Sequence, residues 1–141
     1  DLTVSKKLHP ALQEIFMEDE TLKLPFHKTT VAFINNKCTF VPNKFYQPEE
    51  VDTYLSKQVH SIETDQIFVD DVEMMKAKNV YAFDQEVYFL IKGYLSNVRF
   101  MHNSTSVLQG FFSNQNSTSG KKVYVNVKGD HLQIALLDNQ E

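Results

Sequence analysis

The chain has 141 residues, 42% of them hydrophobic, with eleven Phe, six Tyr and no Trp. That length suits one domain, or one domain and the start of another, and a compact chain of this size buries roughly 68–70% of the surface it exposes when unfolded. A formal charge of −4 with scattered basic residues argues against nucleic acid and against an anionic membrane surface, and the low Gly and Pro content argues against low-complexity disorder.

In chain order, the first element is VSKKLHPALQEIFMED. Leu8, Leu12, Ile15 and Phe16 recur at helical spacing, and Pro10 is expected near the helix start, where its missing N–H costs little. KTTVAFIN is a β-rich run ending at the turn signal Asn35-Asn36, and KCTFVP is expected to pair with it as a hairpin, stopped by Pro42. QPEEVDTYLSKQVHSI reads as a helix. Pro48 lies in its first turn, acidic residues stand near its positive end, and Val51, Tyr54, Leu55 and Val59 form its buried stripe. DQIFVDDV and NVYAFD are two short strands around the connector EMMKAK. Asp84 is the expected N-cap of the helix QEVYFLIKGYL, whose inner face carries Val87, Leu90, Ile91 and Tyr94. NVRFMH is a strand, and NSTSVLQGFFSNQ a helix capped by Asn103 or Ser104. NQNSTSG is a polar loop and the best domain boundary. The last element is a hairpin, 122–127 and 131–137, about the turn Lys128-Gly129-Asp130. Interleaved strands and helices imply an α/β fold: a mixed or partly parallel sheet with helices on its faces.

One cysteine, Cys38, cannot form an internal disulfide, which fits a reducing, cytoplasmic setting. No signal peptide or transmembrane run is read: the most apolar stretch, VYFLIKGYL, is short and holds Lys92. The chain begins DLTVSKK without an initiator Met and reads as an excerpt of a longer polypeptide.

The five histidines lack metal-ligand spacing. Asp70, Asp71 and Glu73 could hold Mg²⁺ or act as acid and base, but acids at a strand end also mark a solvated turn. His102 with Ser104, Thr105 and Ser106 suggests a nucleophile, yet no GxSxG elbow accompanies them, and a strand leading into a hydroxyl-capped helix is the plainer reading. The two Asn-x-Ser/Thr sites, at Asn103 and Asn116, are read as unmodified. Glycine-rich phosphate motifs are missing. The terminal turn is then the one stretch shaped for a nucleotide. Its backbone N–H groups could cup phosphate, Lys128 adds charge, Gly129 permits close approach and Asp130 could orient a metal-bound water. It is also an ordinary hairpin turn.

The stretches TFVPNKFY, NVYAFDQEVYFLIKGYL, RFMHNSTSVLQGFF and KKVYVNVKGDHLQIALLDNQE resemble an uncharacterised bacterial family of the Bacteroidetes type, whose fold is similar to the actin-like ATPases. The resemblance runs from about Thr39 onward and rests on hydrophobic and aromatic signatures. It implies an actin-like, ribonuclease-H-type mixed sheet with flanking helices, incomplete in this chain: residues 1–115 belong to a first lobe, 116–121 to a polar linker, and 122–141 to the first hairpin of a second lobe. It also implies where a phosphate-handling aspartate and glycine would stand. Asn126 occupies the aspartate position and Lys128 the glycine position. Asn is neutral and cannot act as a base, and a lysine side chain crowds the approach that glycine permits. Using Gly129 and Asp130 instead reverses the order of the motif. The degenerate motif argues against an enzyme. The expectation is a non-catalytic cytoplasmic interaction scaffold with a protein partner or self-association, no nucleic acid and no membrane insertion. Its sheet edge beside Leu132, Ile134 and Leu136 would suit strand addition. The alternative is a nucleotide-binding or ATP-hydrolysing protein taking ATP with Mg²⁺ through Lys128, Gly129 and Asp130.

Overall fold

The run Ala77–Asp84 forms strand β4, and it is buried on both sides: Ala77, Val80, Tyr81 and Ala82 are all in the interior, with Asn79 among them. A strand without a wet face needs strands at both edges and layers above and below. In the computed structural model, which describes residues 2–57, 59, 65–113, 120–129 and 131–139, β4 has both. Strand β2 (Cys38–Pro42) pairs antiparallel with one edge and β3 (Asp65–Val72) with the other. The expected pair of strands around EMMKAK is thus a hairpin, and Lys76 completes its turn in the left-handed region at φ 49°.

Strand β1 (Thr29–Phe33) does not form the expected hairpin with β2. It runs parallel to β5 (Val98–His102), Thr29 opposite Val98 and Phe33 opposite His102. The cause is the short segment after β1. Asn35 Nδ2 donates to the Ala82 carbonyl at 2.9 Å, Asn35 Oδ1 accepts the Lys37 N–H at 2.8 Å, and the Ala82 N–H donates to the Lys37 carbonyl at 2.9 Å. Lys37 also pairs with Asp65. These bonds fasten the connection to β4, so the chain crosses from one sheet to the other instead of turning back. Strand β5 lies next to β3, where the His102 N–H donates to Asp70 Oδ2 at 2.8 Å.

Alternation along β4 divides the core. Tyr81 faces the cluster of Phe16, Phe33, Val87 and Ile91, while Val80 and Ala82 face Val41 and Leu55. Helices α1 (Leu2–Glu18) and α3 (Gln85–Tyr94) cover the first face, and α2 (Val51–Ser56), preceded by a 3-10 turn at Pro48–Glu50, covers the second. Phe33 is the aromatic hub: its ring stacks on Phe83 at 3.7 Å and on Phe100 at 5.4 Å. Asp84 caps α3 as expected, accepting the Val87 N–H at 3.0 Å. Tyr94, expected on the inner face, is exposed, but its ring still stacks on Phe16 at 5.0 Å. Pro10 lies inside α1, not at its start. It faces solvent, while Leu8, Leu12 and Phe16 pack on the core, and that burial carries the helix past the residue that breaks its hydrogen bonding.

Helix α4 (Asn103–Ser113) follows β5 directly. The terminal hairpin is β6 (Gly120–Lys128) with β7 (His131–Asn139), paired antiparallel from Gly120 opposite Asn139 to Lys128 opposite His131. Gly129 turns the chain at φ +58°, a conformation glycine adopts without steric cost. The polar loop 114–119, and residues 58 and 60–62 of the helix expected over 47–62, lie outside the described residues.

Candidate functional site

Strand alternation decides what the acidic run can do. Asp70 points inward and is buried; Asp71 points outward and pairs with Lys78; Glu73 is exposed beyond the strand end. Neighbouring residues on a strand face opposite ways, so the carboxylates do not converge. Among the described residues, no three His, Cys, Asp or Glu side chains come together as a metal site.

Asp70 instead anchors a buried polar cluster. One carboxylate oxygen accepts the His102 backbone N–H at 2.8 Å, and the other accepts the Tyr81 hydroxyl at 3.4 Å. The His102 ring is enclosed at the joint of β5 and α4. Its Nδ1 accepts the Ser104 N–H at 3.2 Å, and its Nε2 lies 3.3 Å from Asn35 Oδ1. An imidazole that accepts at Nδ1 and donates at Nε2 is neutral. The capping role expected of Asn103 or Ser104 is therefore taken by the histidine before them.

Burial holds the His102 pKa below the ordinary histidine range, against smaller upward pulls from Asn35 and Asp70. Burial also drives the Tyr81 phenol far above the usual tyrosine value, helped by the charge and hydrogen bond of Asp70 and opposed by Arg99. The Cys38 thiol is pushed up by burial, with Ser104 pulling it down, so Cys38 is a poor nucleophile. Ser106 is exposed, and Asp70 binds the backbone of His102, not its ring. The His102 and Ser106 pair therefore does not make a nucleophile and base. Asn79, fully buried, donates to Thr105 Oγ1 at 2.9 Å, while its own Oδ1 has no partner among the described residues.

The cluster continues to the hairpin. Ser104 Oγ accepts Gln133 Nε2 at 3.0 Å, and Gln133 Oε1 accepts Asn126 Nδ2 at 2.9 Å. Farther along, Tyr124 stacks on Phe111 of α4 at 4.7 Å. These contacts seat one face of the hairpin. On the other face Val123, Val125, Val127, Leu132, Ile134 and Leu136 are 54–69% exposed. A cavity of about 410 Å³ runs beside β7, with Val107, Leu108 and Phe111 of α4 on one side and Phe40 and Met75 on another. Among the described residues, no strand pairs with the outer edge of β7.

Of the terminal turn, Lys128 ends β6, Gly129 is exposed with open space where a Cβ would stand, and Asp130 lies outside the described residues. Sequence reasoning missed the cluster of Asp70, Tyr81, His102 and Asn35. One signal was available: Asp70 shares its face of β3 with Phe68 and Val72, an acid in an apolar register.

A solved structure from Bacteroides thetaiotaomicron VPI-5482, described as a protein with actin-like ATPase fold and unknown function, matches with a TM-score of 0.84 at 17% identity, over 93% of this chain and 51% of that one. The architecture is accordingly that of an actin-like α/β fold, and the chain spans about half the length of that protein. The family described as Protein of unknown function (DUF3822) matches residues 1–141, and the chain belongs to it. No curated protein matches. No helix among the described residues is long and apolar enough to cross a membrane.

Proposed function

We propose that this chain is a non-catalytic, cytoplasmic interaction scaffold of actin-like fold. Residues 1–115 act as one lobe, 116–121 as its joint, and 122–141 as the opening hairpin of a second lobe. The observation that carries this reading is the outer face of β6 and β7. Six Val, Leu and Ile side chains stand in water on one side of a regular hairpin, and a contiguous apolar face of this kind marks an interaction surface. The edge of β7 adds a row of main-chain groups that a further strand can pair with. Asn126 supports the non-catalytic part: it is neutral and already bonded to Gln133. The lone Cys38, a free thiol, supports a reducing compartment.

Light scattering over a wide concentration range tests the scaffold. The chain is expected to self-associate through the hairpin face, and Val125→Lys with Ile134→Lys to return it to a monomer with unchanged circular dichroism. A wild-type chain that stays monomeric throughout and binds no partner protein would overturn the reading.

The second reading, nucleotide binding, draws on Gly129, whose left-handed backbone and open surroundings leave room for a phosphate. ATP with Mg²⁺ at a hundred times its dissociation constant would then stabilise the chain by about 2.7 kcal/mol. A shift abolished by Lys128→Ala favours this reading, and no shift at saturating nucleotide removes it.

A further inference from the structure

We propose that His102 is a pH-sensitive latch that holds the turn end of the β6–β7 hairpin against the lobe. The structural basis is a continuous series of hydrogen bonds. His102 Nδ1 accepts the Ser104 N–H in the first turn of α4; Ser104 Oγ accepts Gln133 Nε2; Gln133 Oε1 accepts Asn126 Nδ2. Asn126 and Gln133 face each other across the hairpin, two rungs from the terminal pair Lys128 and His131. The imidazole thus caps the helix, and the residue it caps holds the hairpin.

Protonation reverses the first bond. A second ring proton turns Nδ1 into a donor, which then faces the Ser104 N–H donor. The imidazolium also meets the positive end of the α4 dipole. The groups packed around His102 are Asp70 from β3, Tyr81 from β4 with its ring 5.3 Å away, Asn35 from the segment after β1, and Ser104 from α4. Cys38 of β2 interacts with Ser104, and Arg99 on β5 itself is exposed. Desolvation of the enclosed ring disfavours the imidazolium and outweighs Asn35 and the Asp70 carboxylate, which favour it. The latch is therefore closed above the ordinary histidine pKa of about 6.5 and opens as pH falls through the lower folded-state value. Release is confined to the turn end, because the stack of Tyr124 on Phe111 holds the hairpin farther along, outside the series of bonds that starts at His102.

Hydrogen exchange on the full chain, corrected for the intrinsic pH dependence of exchange, tests this. Amides near 126 and 133 should lose protection by about fivefold to tenfold on acidification, the factor corresponding to one lost helix cap, while those of β4 hold. His102→Asn caps without titrating, so its hairpin protection should stay flat. Wild-type protection that is flat across the imidazole range, or an equal loss in His102→Asn, overturns the latch. Should that variant not fold, an NMR titration of the wild-type His102 ring decides: the hairpin amides must open along the same transition as the ring, and opening along any other overturns the proposal.

Discussion

Tyr81 shows how one residue's surroundings set its chemistry. Its ring belongs to the aromatic cluster around Phe33, and its hydroxyl donates to a buried carboxylate. Ionising the phenol would place a second negative charge beside Asp70 in a dry interior. The raised pKa has a definite sign for stability. Unfolded chains release the tyrosine proton near pH 10, and the folded chain keeps it. The contribution of Tyr81 is therefore fully present below pH 10 and is lost as pH climbs toward the folded-state value. Denaturant unfolding should show stability falling above about pH 10, with a smaller fall in Tyr81→Phe; an identical pH profile in the two would contradict the assignment. Burial is the main cause, and the Asp70 carboxylate that adds to it was visible in the sequence only as part of an acidic run. Its side of β3 could be counted from Phe68 and Val72, and Tyr81 lies on the neighbouring hairpin strand, but His102 comes from a strand distant in the chain, and no spacing announces it.

At the scale of elements, local signals read well wherever the element is local. Asp84 caps α3, Pro42 ends β2, and β3 and β4 flank a connector where one was expected, though it is shorter than EMMKAK because Ala77 and Lys78 already pair in β4. The reading failed where a long-range bond decided the outcome. KTTVAFIN and KCTFVP look like a hairpin, but the side chain of Asn35 binds β4 and diverts the chain. Pro10 is the other departure. Inside α1 it removes one backbone hydrogen bond and crowds the carbonyl four residues earlier, a penalty accepted because Leu8, Leu12 and Phe16 are packed on the core. Pro10→Ala should therefore stabilise the chain, by at most about 3 kcal/mol, as a higher midpoint in thermal circular dichroism. A lower midpoint would mean that the ring has packing not accounted for by its exposure.

At the scale of the whole molecule, the actin-like architecture was legible through aromatic and hydrophobic signatures, because those residues build the two cores around β4. The terminal hairpin was legible as well, from its alternation and from Lys128-Gly129-Asp130. What spacing could not reveal is how the hairpin is fastened: Ser104 and Phe111 sit on one helix, and their partners Gln133 and Tyr124 on two different strands. Phe111→Ala removes the stack, worth about 0.5–1.5 kcal/mol beyond its buried area. Exchange should quicken across β6 and β7 while β4 amides stay protected; equal loss in both would show that the hairpin and the sheet around β4 unfold as one unit. The parallel partnership of β1 with β5 carries a consequence for the birth of the molecule. Its two strands are separated by residues 34–97, so the loop between them must close before any of its bonds form. Neighbouring β3 and β4 can zip together at once across four residues. Newly made chains should thus acquire the middle of the sheet early and the β1 margin late, and the slowest step in refolding should be the arrival of Thr29–Phe33 at its place.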